Sequence, residues 1–237
     1  MQAFYPQHAG GEAIANALLG HCADGLCWGR LPYTWPHDLT HAGDIGDYRM
    51  LGTKKTFRYG QPALFPFGFG LQYGGPFVLR DLSVSASVIA PCDSVELGVT
   101  LRNTGRSHGS EVLQVYLRWL GAPVPTPALE LVQFDRVFVR SGEQARVTLT
   151  VDPRRMALLL PPSVHSSSNG SLPDWWVVPL RMELSVGSSQ PAYGSTLTAN
   201  VTIAGGEARR VAECPSARGR ALKSNEIGRR GHATQTS

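Results

Sequence analysis

From residue 82 onward the chain alternates apolar and polar positions with the two-residue period of a half-buried strand. Leu82, Val84, Ala86 and Val88 are separated mostly by serines, and Val95, Leu97, Val99 and Leu101 by Glu96, Gly98 and Thr100. The period returns at Leu113, Val115 and Leu117, at Val147, Leu149 and Val151, at Leu180, Met182, Leu184 and Val186, and at Leu197, Ala199, Val201 and Ile203. Successive side chains on a strand point to opposite faces, so each segment offers one face to a core and one to solvent. A further apolar run, 131–139, is interrupted at Asp135-Arg136, as a bulged or edge strand would be. Seven short strands, parted by turn signals such as Asn103-Thr104-Gly105 and Ser141-Gly142-Glu143, predict an antiparallel two-sheet sandwich over residues 77–204. The polar stretch 161–173 reads as a surface loop ahead of Trp175-Trp176.

The first 76 residues follow another pattern. Over 12–19, Ala13, Ile14, Ala17 and Leu18 fall on one helical face, with Gly10-Gly11 ahead and Gly20 placed to end the helix. A helix this short needs something to cover. Too few strand signals precede residue 77 to supply a sheet, so residues 1–76 are expected to be the end of a domain whose earlier part lies outside the sequence. From Gly29 onward glycines and prolines punctuate the chain, while Trp35, Tyr48, Phe57, Tyr59, Phe65, Phe67, Phe69 and Tyr73 demand packing partners. The combination predicts a connector with fixed turns.

Charge changes the picture only at the end. Residues 205–237 hold seven Lys or Arg against three acids, an excess equal to the formal charge of +4 of the whole chain. A neutral body with a polar basic end predicts a disordered tail over 205–237 and no nucleic-acid partner. No stretch approaches the roughly 18 consecutive apolar residues of a membrane span, and no export signal is visible at the amino terminus. Four cysteines do not form a disulfide framework in a chain of 237 residues. Only Cys22 and Cys27 are close in sequence, in a Gly-containing loop where they either bond or stay separate thiols. With no second pair, and with His37 and His41 the strongest histidine spacing, neither a metal site nor a cofactor is expected.

Several segments together carry a resemblance. Tyr5-Pro6, Gly10-Gly11-Glu12-Ala13-Ile14-Ala15, Leu19-Gly20 and Gly29-Arg30-Leu31-Pro32-Tyr33-Thr34-Trp35-Pro36 resemble the end of the α/β-sandwich domain of family 3 glycoside hydrolases. Phe65-Pro66-Phe67-Gly68-Phe69-Gly70-Leu71-Gln72-Tyr73 is similar to the family's entry into its third domain, and 100–105, 109–117, Val132-Gln133-Phe134-Asp135-Arg136-Val137 and Ser141-Gly142-Glu143 resemble its fibronectin type III-like strands and turns. The resemblance covers about residues 4–203. It implies a mainly β chain: a seven-stranded fibronectin type III/immunoglobulin-like sandwich (77–204) preceded by the carboxy-terminal fragment of an α/β domain (1–76). Asp47-Tyr48-Arg49-Met50 and Lys55-Thr56-Phe57-Arg58-Tyr59 are more similar to β-xylosidase or arabinofuranosidase-like members than to β-glucosidases. Where the family commonly has a Gly before its penultimate strand, this chain has Pro179-Leu180, which leaves the register of the last strands open.

Retaining glycoside hydrolysis needs two carboxyl groups facing each other at about 5 to 5.5 Å. The resemblance implies a nucleophilic Asp in an upstream barrel and an acid/base Glu earlier in the α/β domain, both outside this sequence. Glu12, Asp24, Asp38, Asp44 and Asp47 match neither, and read as surface or capping residues. No catalytic residue is therefore expected, and the partners are the upstream catalytic domains and, beyond them, an oligo- or polysaccharide. Arg30 and Arg58, each beside aromatics, either steady a sugar cleft or clamp the domain junction. Trp35, Trp175 and Trp176 are candidates for sugar-stacking platforms, with core packing as the competing role. Asn169 and Asn200 sit in N-glycosylation patterns, which matter if the parent enzyme is extracellular or in the secretory pathway, as the resemblance implies. The expected function is accessory: a region of a carbohydrate-cleaving enzyme, with a stand-alone carbohydrate- or protein-binding module as the alternative.

Overall fold

The computed structural model describes residues 1–21, 28–50, 55–60, 62–164 and 172–214. Helix α1 (Gly10–Leu19) ends where Gly20 turns left-handed, φ 73°, and its N–H bonds back to Ala17 O and Asn16 O. Glycine adopts that conformation without the Cβ clash other residues meet, so the predicted stop is where it falls. Strand β1 (Trp35–Pro36), the one-turn α2 (Leu39–Ala42) and β2 (Ala63–Phe65) follow, and β1 and β2 pair antiparallel.

The sandwich begins at β3 (Phe77–Val84), earlier than the alternation alone shows. The chain then bends, so that Val88, which continues the period in sequence, belongs instead to β4 (Val88–Ile89) in the other sheet. Next come β5 (Val95–Asn103), β6 (Gly109–Leu120), β7 (Glu130–Val139) and β8 (Gln144–Val151). They are followed by β9 (Leu158–Leu160), β10 (Asp174–Val177), β11 (Leu180–Gly187), β12 (Thr196–Ile203) and β13 (Arg209–Arg210). One sheet runs β3-β5-β8, the facing one β4-β12-β11-β6-β7, and a small third sheet β13-β10-β9. The seven long strands of the two facing sheets are the seven read from the periodicity.

The core lies between the sheets. Val95, Leu97, Val99 and Leu101 of β5 are fully buried against Leu113, Val115 and Leu117 of β6 and Leu184 and Val186 of β11. Each such side chain contributes about 1.5–3 kcal/mol, so the sandwich has ample stabilisation of its own. Helix α1, by contrast, buries only Gly10 and Ala17 and leaves Leu18 and Leu19 exposed. Strand β7 is an edge strand, one of the two readings of its broken pattern; its register against β6 shifts at Val132, opposite Val115 and Tyr116, whereas the pairing of Asp135 and Arg136 is regular. The register left open by Pro179-Leu180 is regular: Leu180 faces Ile203 and the pairing runs unbroken to Gly187 with Thr196.

One expectation needs correction, and one disulfide was not foreseen. The carboxy-terminal residues 205–214 are not a free tail: β13 pairs with β10, Trp176 opposite Arg210, and a 3-10 turn (Val211–Glu213) leads to Cys214. Cys214 is disulfide-bonded to Cys92, 122 residues away, with Cα atoms 5.0 Å apart. Sequence proximity singled out Cys22 and Cys27 instead, and both lie outside the described residues, as do Asn169 and residues 215–237.

Candidate functional site

The first nine residues of β6 are buried without alternation. One face is covered by the core, the other by the connector. Gln114, pointing outward, donates through Nε2 to Gly68 O (3.1 Å) and Ser188 O (2.8 Å), while the Tyr116 hydroxyl donates to Gln114 Oε1 (2.6 Å). Phe57 and Phe67 stack with centroids 4.0 Å apart, and both stand edge-on to the Tyr116 ring. Burial pushes the Tyr116 phenol well above its ordinary pKa. Gly68 has φ 80°, and a Cβ there would lie 2.0 Å from Gln114 Oε1, so the close approach requires glycine.

Two arginines fix this junction. The Arg30 guanidinium pairs with Glu111, both side chains only 9% exposed, while Gln72 Nε2 donates to the other Glu111 oxygen (3.1 Å). Arg58 pairs with Glu130, and its carbonyl accepts from Ala128 N (2.6 Å). Of the two roles open to these arginines, Arg30 performs the clamp: its charge is turned into the protein. Arg58 ties the connector to the start of β7 but remains partly exposed. Gln190 N donates to Phe67 O (3.1 Å), and Arg136 Nη2 to Trp28 O (2.9 Å), which extends the seam. Thr34 Oγ1, Arg58 Nε and Gln190 Oε1 are buried with no hydrogen-bond partner among the described residues.

Other residues of the connector are open to solvent. Trp35 is 40% exposed and pairs across β1-β2 with the exposed Phe65; Tyr33 lies beside Trp35 (centroids 5.9 Å), and Phe4 edge-on to Tyr33. Tyr73, itself exposed, donates to Leu18 O (2.5 Å) and tethers α1 to the connector. The connector is thus bonded to the sandwich and also presents exposed apolar and aromatic groups.

The adjacent tryptophans separate. Trp176 is 5% exposed, packed with Leu158, Leu160 and Val178 beneath the Arg210 guanidinium, which sits 5.2 Å from its ring centroid. A ring so covered has no face for a sugar, which corrects its candidacy. Trp175, on the opposite face of β10, is 51% exposed and lies across from the exposed Leu159. Asn200 is exposed on β12, opposite Glu183, which itself approaches Arg118 (3.6 Å). The acids of the first segment act as local caps: Asp38 accepts from Thr40 Oγ1 and His41 N, which hold its carboxyl well below the usual range. Asp44 accepts from Gly46 N and Asp47 from Arg49; Asp24 lies outside the described residues. Among the described residues no group of three His, Cys, Asp or Glu is arranged to hold a metal, and no helix is long and apolar enough to cross a membrane.

Sequence reasoning missed Glu111, Gln114 and Tyr116 as junction residues. The signal was present: polar Gln114 and amphipathic Tyr116 occupy the outward positions of a strand whose neighbours are all aliphatic.

Comparison with known proteins agrees with this architecture. Residues 111–190 match the fibronectin type III-like domain family. The chain is 37% identical over 149 residues to a xylan 1,4-β-xylosidase of Xylanibacter ruminicola, covering 63% of this chain and 16% of that protein. It is 31% identical over 164 residues to a probable β-glucosidase H of Aspergillus flavus, covering 64% of this chain and 20% of that protein. A solved family 3 β-glucosidase of Bifidobacterium adolescentis superposes with a TM-score of 0.65 at 25% identity, over 82% of this chain and 28% of that one. The chain thus spans no more than a fifth of the length of these two curated relatives. Sandwich, connector and relatives thus agree: the chain is similar to the carboxy-terminal region of family 3 glycoside hydrolases, and its residues 111–190 match a fibronectin type III-like domain.

Proposed function

We propose that this chain is the non-catalytic accessory region of a glycoside hydrolase that cleaves O-glycosyl bonds of β-xyloside type in carbohydrate breakdown. Its work is to brace the α/β domain of the parent enzyme and hold the sandwich beside it. The observation that carries the reading is the connector's double character: it is bonded to β6 through Gln114, Tyr116 and Glu111, while Trp35 and Phe65, with Phe4, Leu18 and Leu19 of the preceding residues, remain exposed. Exposed apolar groups of that kind fit a docking role toward preceding domains. The xylosidase relative and the 47–50 and 55–59 segments favour a xyloside over a glucoside substrate. The test has two arms. The purified chain is expected to leave aryl xylosides, arabinosides and glucosides intact; when co-expressed with the preceding part of the parent enzyme it is expected to bind that part and raise its turnover. Activity that follows the isolated chain through purification would overturn the accessory reading, and absence of binding would overturn the bracing role.

The exposed Trp175 favours a second reading, a sandwich that binds polysaccharide by itself. Retention on xylan or arabinan that is lost in Trp175→Ala supports it, and no retention removes it. Trp176→Ala is unsuitable for this purpose, because that ring is part of the packing beneath Arg210.

A further inference from the structure

Cys92 occupies the turn between β4 and β5, where the chain crosses from the five-stranded sheet to the three-stranded one. Cys214 follows the 3-10 turn after β13, the edge strand of the third sheet. One bond therefore joins all three sheets. The turn is well formed around it: Asp93 N bonds to Ala90 O (3.1 Å), Ala90 N to Asp93 Oδ2 (3.0 Å), and Gly206 packs beside Pro91. Cys214 is 4% exposed and lies in the main core cluster, with Cys92 and Val211 packed against it.

Besides the disulfide, the carboxy-terminal segment is held by the Arg210 guanidinium over Trp176 and by the packing of Ala208 and Val211, but its polar ties are slight. Strand β13 has two residues, and the ion pair of Arg210 with Asp174 is long (3.8 Å) and substantially exposed on both sides. Such a pair is worth little in water, and a two-residue ladder is far below the length of an independently stable strand. A cross-link spanning 122 residues, on the other hand, removes a large part of the unfolded chain's freedom.

We propose that Cys92–Cys214 is a redox-operated clasp: closed in an oxidising compartment, it holds β13 and its following turn over β10, and opened by reduction it releases residues 209–214 while the two facing sheets stay layered. Closure converts two thiols to one disulfide, with two electrons and two protons passing to a disulfide oxidant such as oxidised glutathione, which leaves as two reduced glutathiones. Opening is the reverse exchange with an excess of thiol. Release uncovers Trp176 and Val177, the two residues that β13 pairs with. The protein is thus fitted to work where disulfides persist, outside the reducing cytosol.

Trypsin reads the clasp locally, because Arg209 and Arg210 form β13 itself. The air-oxidised chain is expected to resist cleavage at these arginines and to show Cys92 and Cys214 blocked to alkylation in peptide maps. With dithiothreitol, cleavage there is expected to accelerate at least tenfold and Tm to fall by about 10 °C. The Cys92→Ser/Cys214→Ser double variant is expected to be cleaved rapidly with or without reductant. Free alkylation of both cysteines in the oxidised protein, or equal cleavage rates in the two redox states of the wild type, would overturn the proposal. The wild-type comparison stands even if the double variant does not fold.

Discussion

Arg30 and Glu111 meet with little water around either, and removing two charges from solvent is tolerable only when each is matched. Arg30→Met leaves the Glu111 carboxylate buried with only the neutral donors Gln72 Nε2 and Val112 N beside it, so it is expected to destabilise the chain by about 3 kcal/mol in urea unfolding. Adding Glu111→Leu is expected to recover most of that loss, since the penalty comes from the unmatched partner. Tyr116 supplies a pH dependence. A free phenol ionises near pH 10, at about the same value in the unfolded chain, whereas the buried Tyr116 holds its proton higher. Its contribution to stability is intact below about pH 10 and is lost as pH rises toward the folded pKa. Tyr116→Phe is therefore expected to lower stability at neutral pH, by losing the bond to Gln114, yet to flatten the fall of Tm above about pH 10. Neither role was legible residue by residue. Arg30 beside aromatics fits a sugar cleft or a clamp equally, and only the fold brings Glu111 to it from 81 positions away.

The long strands were legible because one face of each is core and one is not, which writes a period of two into the sequence. The elements that escaped have no such contrast. Leu158–Leu160 is a three-residue apolar run, and Arg209–Arg210 is a pair of charges whose strand character comes wholly from pairing with β10. Periodicity also continued the first strand through Val88, although the backbone bends and delivers that residue to the other sheet. Strand β7 shows what its break in pattern is for. It is an edge, and Asp135 and Arg136 stand exposed in its middle, where charge discourages pairing with another molecule. Asp135→Val/Arg136→Val is expected to leave the monomer folded but drive concentration-dependent association, measurable by light scattering after size-exclusion chromatography.

Across the whole molecule, stabilisation is uneven. The sandwich owns its core; α1 buries one glycine and one alanine and hangs on Tyr73. Hydrogen exchange is expected to show slow amides in β5, β6 and β11 and fast ones in α1. Equal protection in the isolated chain would mean that α1 finds cover the packing does not reveal. The fold class could be read in advance, whereas the disulfide could not, since spacing along a chain says nothing about cysteines 122 residues apart. The double-sided burial of β6 bears on how such enzymes can be recombined. Because Gln114 and Tyr116 need Gly68, Phe57 and Phe67 opposite them, a sandwich cut out at residue 77 and spliced into another enzyme would arrive with an unmatched outer surface. The transplantable unit begins upstream, near Trp28, and a chimera built at that seam carries its own interface with it.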